Sequence, residues 1–293
     1  NPKYLHLLRP SRWCAKLQRR NMKSWKWLAV LAFVFVILAA NTVFAGSLRL
    51  DGSTTVLPIA QKITEAFMKE FPEVSISVSG GGSGNGIKAI IDSTADIANS
   101  SRFIKNEEVK LAVEKGAYPV PFAIAYDCIV PVVNPANPVK DITMEQLKAI
   151  YMGKMTNWKD LGGPGGEIVV ISRDTSSGTY EVWEEKVMKK ERVFPGALLQ
   201  ASNGAITQAV SKNKNAIGYI GIGYVDKSVK ALTVNGIPGN EETTLSGKFP
   251  IARPLFMFTR GWPTGDALKF INYVLNPHKG QKFVKEAGFV PLY

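Results

Sequence analysis

Residues 48–92 read LRLDGSTTVLPIAQKITEAFMKEFPEVSISVSGGGSGNGIKAIID, and this stretch contains two successive strand–loop–helix units. In the first predicted helix, residues 56–71, apolar side chains recur at steps of three and four, which matches the period of a helix. Residues 74–78 alternate apolar and polar side chains, which is typical of a strand with one buried face. Units of this kind build a mainly parallel sheet flanked by helices, so the sequence predicts an α/β fold.

The same alternation continues to the end of the chain. The predicted elements after residue 92 are strands over 95–98, 168–172 and 216–220, and helices over 143–151, 180–190, 264–275 and 279–287. Residues 119–133 are mostly apolar and end at an Asn-Pro sequence, which fits a buried strand that crosses between two lobes. With a return crossing at 216–220, this predicts a discontinuous first lobe, 46–127 and 222–293, and a second lobe, 128–221.

Three segments rich in Ser, Thr and Gly lie where a strand turns into a helix: 51–55, 79–86 and 173–179. Glycines let backbone N–H groups approach a ligand closely, and a helix N-terminus with free N–H groups and small hydroxyls is suited to bind an oxyanion. In parallel sheets, ligands bind at the carboxyl ends of the strands, where these loops would meet. Three such loops predict a tetrahedral oxyanion that is held from several sides.

Two arginines add charge to this predicted site. Arg173 precedes the Ser-Gly-Thr sequence at 177–179, and its planar guanidinium matches two oxygens of an oxyanion. The Ser-Ser-Arg sequence at 100–102 follows the third strand and places hydroxyls and a second guanidinium at its carboxyl end. The structural alternatives are a capped helix start with a surface arginine for the first segment and an ordinary turn for the second.

The glycine-rich loop is less specific than the arginine segment. It lacks the Gly-Lys-Ser/Thr ending of a Walker P-loop and the acidic partner of a dinucleotide site, and such loops can be flexible linkers. Its place between an alternating strand and an apolar helix argues against a linker. Asp51, Asp96 and Asp174 lie near the loops. Each could accept a hydrogen bond from a protonated ligand, or could instead cap a helix or form an ion pair.

Catalytic and metal-binding functions find little support in the residue types. Beyond residue 45 the chain has one histidine, His278, and one cysteine, Cys128. A Ser–His catalytic arrangement is therefore disfavoured, and a His/Cys metal site has too few ligands. Cys128 lies in an apolar run and is predicted to be a buried free thiol. We expect no enzymatic activity, no cofactor and no metal.

The N-terminal segment is predicted to direct export. Residues 22–45 combine a basic start, an uncharged apolar run and small residues before Ala45, as in a secretory signal peptide cleaved after Ala45. A membrane anchor is the alternative, but the apolar run is shorter than the ~20 residues of a span. Residues 1–21 are interpreted as an over-extended start. Eight of the 36 Lys and Arg residues lie in 1–45, which leaves 28 against 24 Asp and Glu. The net charge of +12 therefore mostly reflects the export signal and does not indicate nucleic-acid binding.

With these motifs identified, the chain resembles the periplasmic phosphate-binding proteins that serve ABC-type phosphate importers. The resemblance covers essentially all residues after 45, with its motifs in the family's order. They are Gly52-Ser53-Thr54-Thr55 before Pro58, Gly82-Ser83-Gly84 before Ile87-Lys88, the strand ending in Ser100-Ser101, Arg173 with Ser177-Gly178-Thr179, and the apolar run before Asn134-Pro135. The resemblance implies a two-lobed type II periplasmic binding protein fold with mainly parallel sheets, flanking helices and two interlobe crossings.

The resemblance also implies which residues bind phosphate. Matched by position to the family's loops, they are Thr54, Thr55, Ser83, Arg173, Ser177, Gly178 and Thr179, to which the segment after the third strand adds Ser101 and Arg102. The best-known members carry an aspartate where this chain has Ser101, and that aspartate accepts the ligand's proton and excludes sulfate. Asp174 or Asp51 could take over this role.

We therefore expect a soluble periplasmic monomer whose two lobes close over one dehydrated phosphate and present it to permease subunits in the inner membrane. The alternatives are a binding protein for sulfate, molybdate or tungstate, a phosphate sensor, and a secreted phosphatase. The missing aspartate motivates the first alternative. The scarcity of catalytic side chains argues against the last.

Overall fold

The computed structural model describes residues 46–293. The predicted over-extended start, 1–21, and the predicted signal peptide, 22–45, lie outside the described residues. Within 46–293, no helix combines the length and the apolar character needed to cross a membrane.

Strands and helices alternate through the described part of the chain. The strands are β1 (Gly46–Gly52), β2 (Val74–Val78), β3 (Ile97–Ser100), β4 (Val120–Val133), β5 (Asp141–Ile142), β6 (Val169–Arg173), β7 (Leu198–Gln200), β8 (Ala216–Gly221), β9 (Lys230–Ala231), β10 (Thr233–Val234) and β11 (Ala252–Thr259). The α-helices are α1 (Leu57–Glu70), α2 (Ser83–Ile91), α3 (Asn106–Glu114), α4 (Met144–Tyr151), α5 (Gly178–Lys186), α6 (Asn203–Lys212), α7 (Glu241–Leu245), α8 (Gly265–Leu275) and α9 (Gly280–Glu286).

The sequence patterns explain the first two units. Helix α1 carries a proline in its first turn, where no backbone N–H is needed, and buries Ile59, Ile63 and Phe67 on one face. Helix α2 begins at Ser83, inside the glycine-rich segment 79–86. The cause is Gly82, which takes a left-handed φ of +105° as the N-cap residue and turns the chain directly from the loop into the helix.

One nine-stranded sheet contains most strands, in the order β2-β1-β3-β11-β4-β8-β6-β7, with β9 paired to the end of β4. The pairs of β1 with β2 and β3, and of β6 with β7 and β8, are parallel. The long strand β4 joins these two groups, because residues 120–128 pair antiparallel with β11 and residues 129–133 pair antiparallel with β8. The predicted α/β class, with a mainly parallel sheet flanked by helices, is confirmed.

Separate hydrophobic cores lie on the two halves of this sheet. The first contains Leu50, Ile59, Phe67, Met257 and Phe270, and a smaller cluster around Ile87 and Phe258 lies beside it. The second contains Ile129, Ile150, Trp183, Ile217 and Phe249. Val229, Val234 and Ile251 also pack in the second core. The chain from 229 to 251 thus lies with the second half of the sheet and rejoins the first at β11.

Candidate functional site

The loops that follow β1, β2, β3 and β6 meet at the carboxyl ends of these strands. The glycine-rich loop touches the loop after β6 directly. Gly84 N donates to Ser176 O at 3.0 Å, and Ser176 Oγ donates to Gly81 O at 3.2 Å. Loops from the two halves of the sheet are therefore in contact, as the convergence of the three Ser/Thr/Gly segments requires.

Thr55 and Thr179, here called the threonine pair, connect the first loop to the start of α5. Their Oγ1 atoms lie 3.0 Å apart, and both side chains are almost fully buried. The neighbouring Thr54 is buried too, and its backbone oxygen accepts a hydrogen bond from the Tyr224 hydroxyl. Two of the predicted threonines in the first loop and one on α5 are thus brought together.

Ser83 and Ser101, here called the serine pair, lie at the start of α2 and just after β3. Their Oγ atoms are 3.2 Å apart, and Ser83 Oγ also accepts the Ser101 N–H at 3.0 Å. Gly178, the first residue of α5, covers the pair. A Cβ atom at Gly178 would lie 2.4 Å from Ser83 Oγ and 2.8 Å from Ser101 Oγ, so only glycine permits this approach. Because Thr179 follows Gly178, the serine pair adjoins the threonine pair.

Ser177 caps α5, since its Oγ accepts the Tyr180 N–H at 3.2 Å. The structural alternative for this segment, a capped helix start, therefore describes the Ser177 hydroxyl. The first N–H groups of a helix have no partner within the helix and carry partial positive charge. Gly178 and Thr179 thus supply backbone donors next to both hydroxyl pairs.

Arg173 is almost completely buried at the end of β6. Its Nε donates to Gln200 O at 3.0 Å and its Nη2 to Ala201 O at 2.9 Å, while Asp174 lies 3.7 Å away. Nη1 is buried and has no hydrogen-bond partner among the residues that the structure describes. Burial lowers the pKa of Arg173, with Asp174 opposing the shift, but a guanidinium stays protonated in proteins. Two backbone carbonyls thus fix the position of the Arg173 side chain, and within residues 46–293 its Nη1 has no hydrogen-bond partner.

The Arg102 side chain forms ion pairs with two glutamates. Its Nη1 and Nη2 donate to the two carboxylate oxygens of Glu108 at 2.8 and 2.7 Å, and its Nε lies 2.6 Å from a carboxylate oxygen of Glu181 on α5. Lys105 contacts the same Glu181 oxygen at 2.9 Å. The guanidinium is thus neutralised by two carboxylates, which removes the reason to count Arg102 among the anion ligands. It forms instead an ion-pair bridge between the segment after β3 and α5.

The three candidate aspartates are placed differently. Asp96 accepts the Arg49 backbone N–H at 2.7 Å and directly precedes β3, so it lies at the amino end of that strand and not with the loops at the carboxyl ends. Asp174 accepts the Ser176 N–H at 3.0 Å and stands beside Arg173, with about a third of its side chain exposed. Asp51 lies on β1, next to the glycine-rich loop, with Oδ1 about 4.0 Å from where a Cβ of Gly81 would stand.

Asn203, which the sequence patterns missed, links several parts of the cluster. It is the first residue of α6, and its Nδ2 donates to Thr54 Oγ1 at 3.2 Å and to Thr55 Oγ1 at 3.0 Å. Its Oδ1 accepts the Gly221 N–H at 3.2 Å. The signal that could have revealed it is the Ser-Asn-Gly sequence at 202–204, a fourth polar junction between a strand and a helix.

Arg253 and Asp127 form a buried ion pair on the adjacent strands β11 and β4. Asp127 Oδ2 accepts hydrogen bonds from Arg253 Nε at 2.9 Å and Nη2 at 2.8 Å, while Asp127 Oδ1 accepts the Ile222 N–H at 3.0 Å. Nη2 also reaches Thr55 Oγ1 at 3.3 Å and Thr179 Oγ1 at 3.0 Å, and Nη1 reaches Ser101 O at 3.1 Å. Burial raises the pKa of Asp127 and lowers that of Arg253, and each partner opposes the other's shift.

The charges of the cluster favour an anion. Arg173 and Arg253 are both buried, whereas Asp127 is the one carboxylate buried to this extent in residues 46–293. The buried charge is therefore positive by one unit, and hydroxyl and N–H donors surround it. In the same residues no group of three or more His, Cys, Asp or Glu side chains could hold a metal ion. Such an arrangement has the chemistry that a small, dehydrated oxyanion requires.

Comparisons with known proteins agree on one family. A model described as the PBP superfamily domain matches residues 39–278. The chain belongs to this superfamily. A phosphate-binding protein PstS from Bacillus subtilis (strain 168) is 31% identical over 252 residues, which cover 85% of this chain and 81% of that protein. A PstS from Staphylococcus saprophyticus is 36% identical over 261 residues, covering 84% and 81%. The chain is thus a member of the PstS family, whose proteins are named for binding and not for catalysis.

Solved structures of this superfamily share the fold. A phosphate-bound crystal structure of a substrate-binding protein from Clostridium perfringens is 36% identical, with a TM-score of 0.79 over 85% of this chain and all of that one. An ABC-type phosphate transport receptor from Vibrio cholerae is 33% identical, with a TM-score of 0.68 over 83% of this chain and 99% of that one. The fold of a periplasmic phosphate-binding protein, expected from the sequence motifs, is confirmed.

Proposed function

We propose that this protein captures inorganic phosphate between two lobes and delivers it to the permease subunits of an ABC-type importer. One observation carries the proposal: hydroxyl donors from both halves of the sheet meet at the buried Arg253, and the buried Arg173 at the end of β6 has a donor nitrogen with no partner among residues 46–293. PstS relatives that are named for binding phosphate support the choice of anion.

The proposed ligands are the threonine pair, the serine pair, Thr54, Arg173, the N–H groups of Gly178 and Thr179, and the helix start capped by Ser177. Donors preset in a buried site replace the hydration shell of an anion without the need to reorganise. Arg102 is not among the proposed ligands, because it forms the ion-pair bridge with Glu108 and Glu181.

The two hydrophobic cores support two lobes, with β4 as the first crossing. Because Val229, Val234 and Ile251 pack in the second core, we place the return near residue 252 and not at 216–220, where the sequence patterns put it. Thr55 of the first lobe meets Thr179 on α5 of the second, and the serine pair, whose two members both belong to the first lobe, lies against Gly178 at the start of α5. The site is therefore complete when the lobes are in contact. Hinge closure around the anion is the expected motion. We further propose that the protein works as a monomer in the periplasm after export, with no catalytic activity.

Calorimetric titration of residues 46–293 tests the proposal, after the protein has been freed of bound anion by unfolding and refolding. We expect saturable phosphate binding at one site. Arg173→Gln should weaken it about 10- to 100-fold, because a hydrogen bond to a charged group contributes about 1.5–3 kcal/mol. Arg49→Gln, an exposed arginine on β1, is the matched control and should leave the affinity unchanged. Absence of phosphate binding in the refolded protein would refute the proposal.

A further inference from the structure

A groove of about 990 Å³ lies between the segment after β3 and helix α5, outside the two hydroxyl pairs. It is called here the interlobe groove. Phe103 lines one side of it, Val182 of α5 lines the other, and β11 contributes Pro254 and Phe256. Phe103 is 56% exposed, and its ring makes edge contacts to the rings of Phe256 and Phe258, with centres 5.4 and 5.8 Å apart. The groove therefore offers an exposed aromatic surface that the proposed function does not use.

Arg102 and Glu181 line this groove and also border the serine pair. Arg102 directly follows one member of the pair, and its Nη2 lies 3.7 Å from where a Cβ of Gly84 would stand, next to the other member. Glu181 lies three residues after Gly178, which covers the serine pair, so both residues are on the same side of α5. The ion pair of 2.6 Å between Arg102 Nε and the Glu181 carboxylate thus stands between the serine pair and the interlobe groove.

Further contacts hold both members of this ion pair in place. Arg102 donates to the two carboxylate oxygens of Glu108 at 2.8 and 2.7 Å, and Lys105 contacts Glu181 at 2.9 Å. The side chains of Arg102 and Glu181 are only 6% and 13% exposed. A chemical group that passes between them must break a largely buried ion pair, which costs far more free energy than opening an exposed one.

Other sides of the site are closed by different contacts. Beside the glycine-rich loop, a Cβ at Gly82 would lie 2.5 Å from Ser176 Oγ, so the two loops touch directly. Beside β4 and β11, Arg253 Nη2 contacts both members of the threonine pair at 3.3 and 3.0 Å. Tyr224, whose hydroxyl donates to Thr54 O, lines a second and more polar groove of about 720 Å³. The Arg102–Glu181 pair differs from these contacts because two long side chains stand in front of a large groove with an aromatic surface.

We propose that the Arg102–Glu181 ion pair determines ligand specificity by excluding phosphate monoesters from the anion site. The ligand oxygen at the serine pair is the one nearest to this ion pair, so an ester carbon on that oxygen would meet the two charged side chains. Without them, the substituent of the ester would extend into the interlobe groove and lie against Phe103. This inference rests on the proposed function, since it places the anion at the two hydroxyl pairs.

The test is a calorimetric titration of the refolded protein with inorganic phosphate and with phenyl phosphate at about pH 8, where both ligands are dianions. Arg102→Ala combined with Glu181→Ala, here called the opened variant, removes both side chains and leaves the net charge unchanged. Glu108 keeps its hydrogen bond from the Lys105 N–H at 2.9 Å and is 20% exposed, so it remains solvated. The matched control is Lys282→Ala combined with Glu286→Ala, which removes an exposed ion pair on α9.

The wild type and the control should bind phenyl phosphate at least about 100-fold more weakly than phosphate, because the ester must break a largely buried ion pair. In the opened variant the two affinities should lie within about tenfold of each other, because the charges are equal and the ring gains apolar contact. Phe103→Ala added to the opened variant should lower the affinity for the ester relative to phosphate by about 2- to 10-fold, since an aromatic ring contact is lost.

A thermal melt checks that each variant is folded, and Glu181→Ala alone, in which Arg102 keeps both bonds to Glu108, is the second variant and should show a smaller gain in ester binding. The inference is overturned if the wild type binds phenyl phosphate as tightly as phosphate. It is also overturned if the folded variants discriminate against the ester as the wild type does, or bind neither ligand. Gain of ester binding in Tyr224→Ala, but not in the opened variant, would place the barrier at the second groove. Absence of phosphate binding in the wild type would instead refute the proposed function itself.

Discussion

The buried ion pair between Asp127 and Arg253 should contribute strongly to the free energy of unfolding. Asp127→Asn keeps the shape of the side chain but removes the charge that faces Arg253 Nε and Nη2 at 2.9 and 2.8 Å. Both residues are less than 5% exposed, so water cannot replace the lost partner. Removal of one member of a buried pair costs about 3–5 kcal/mol. With a urea m-value of about 3 kcal/mol/M, the unfolding midpoint should fall by about 1–2 M.

Equilibrium unfolding in urea, followed by tryptophan fluorescence, measures this change, since Trp158 and Trp183 are buried in the second core. Arg253→Met combined with Asp127→Asn completes a double-mutant cycle. The double variant should be more stable than Asp127→Asn alone, because replacement of a whole buried pair is often close to neutral. If Asp127→Asn lost less than about 1 kcal/mol, or if the two losses were strictly additive, the two side chains would not be a coupled buried ion pair.

The same pair predicts a pH dependence in Arg253→Met. Burial already raises the pKa of Asp127, and removal of the guanidinium raises it further. A group whose pKa is raised by folding favours the folded state at low pH, and this contribution is lost as the pH rises through the folded-state pKa. The stability deficit of Arg253→Met relative to wild type should therefore shrink from about pH 8 to about pH 5. A deficit that grows on acidification would contradict the assignment.

Three further predictions concern the ion-pair bridge, the serine pair and Cys128. Glu181→Gln breaks the ion-pair bridge between Arg102 and α5. Phosphate release, measured by stopped flow, should become about 5- to 30-fold faster. The control variant Glu286→Gln removes an exposed ion pair and should leave the release rate unchanged. Gly178→Ala drives a Cβ into the serine pair and should lower phosphate affinity at least about tenfold. The matched Gly204→Ala on α6, where a Cβ has about 3.9 Å of room, should be neutral, and equal affinities in calorimetry would count against the close approach. Burial, followed by the charge of Asp127, raises the pKa of the Cys128 thiol to about 12, so the folded protein should resist alkylation at about pH 8 until urea unfolds it.

Much of the fold could be predicted because periodicity and loop composition agree in the first units. Strand β2 has the predicted bounds, and β4 and α1 differ from prediction by a residue or two. The helix start at Ser83 could not be predicted from periodicity. It depends on the conformation of Gly82, which only the folded chain specifies. Cys128, predicted as a buried free thiol, is confirmed.

Candidate site residues in loops could be predicted from the sequence, whereas those inside strands could not. The Ser, Thr and Gly segments contain Thr55, Ser83 and Thr179, and the Ser-Ser-Arg sequence adds Ser101, because their polar composition stands out between apolar elements. Arg253 and Asp127 lie inside strands, and sequence gives no direct evidence that β11 and β4 are neighbours. A lone charge in each of two apolar runs was the available signal. Arg102 shows the converse, since an arginine beside a binding loop can be neutralised by acids distant in sequence, Glu108 and Glu181.

A crystal structure of residues 46–293, grown with phosphate near pH 8, would show where the anion binds. We expect one phosphate within hydrogen-bond distance of Thr179 Oγ1, of the serine pair and of Arg173 Nη1, with Arg102 still bound to Glu108. A phosphate held by Arg102, or one bound away from the two hydroxyl pairs, would contradict it.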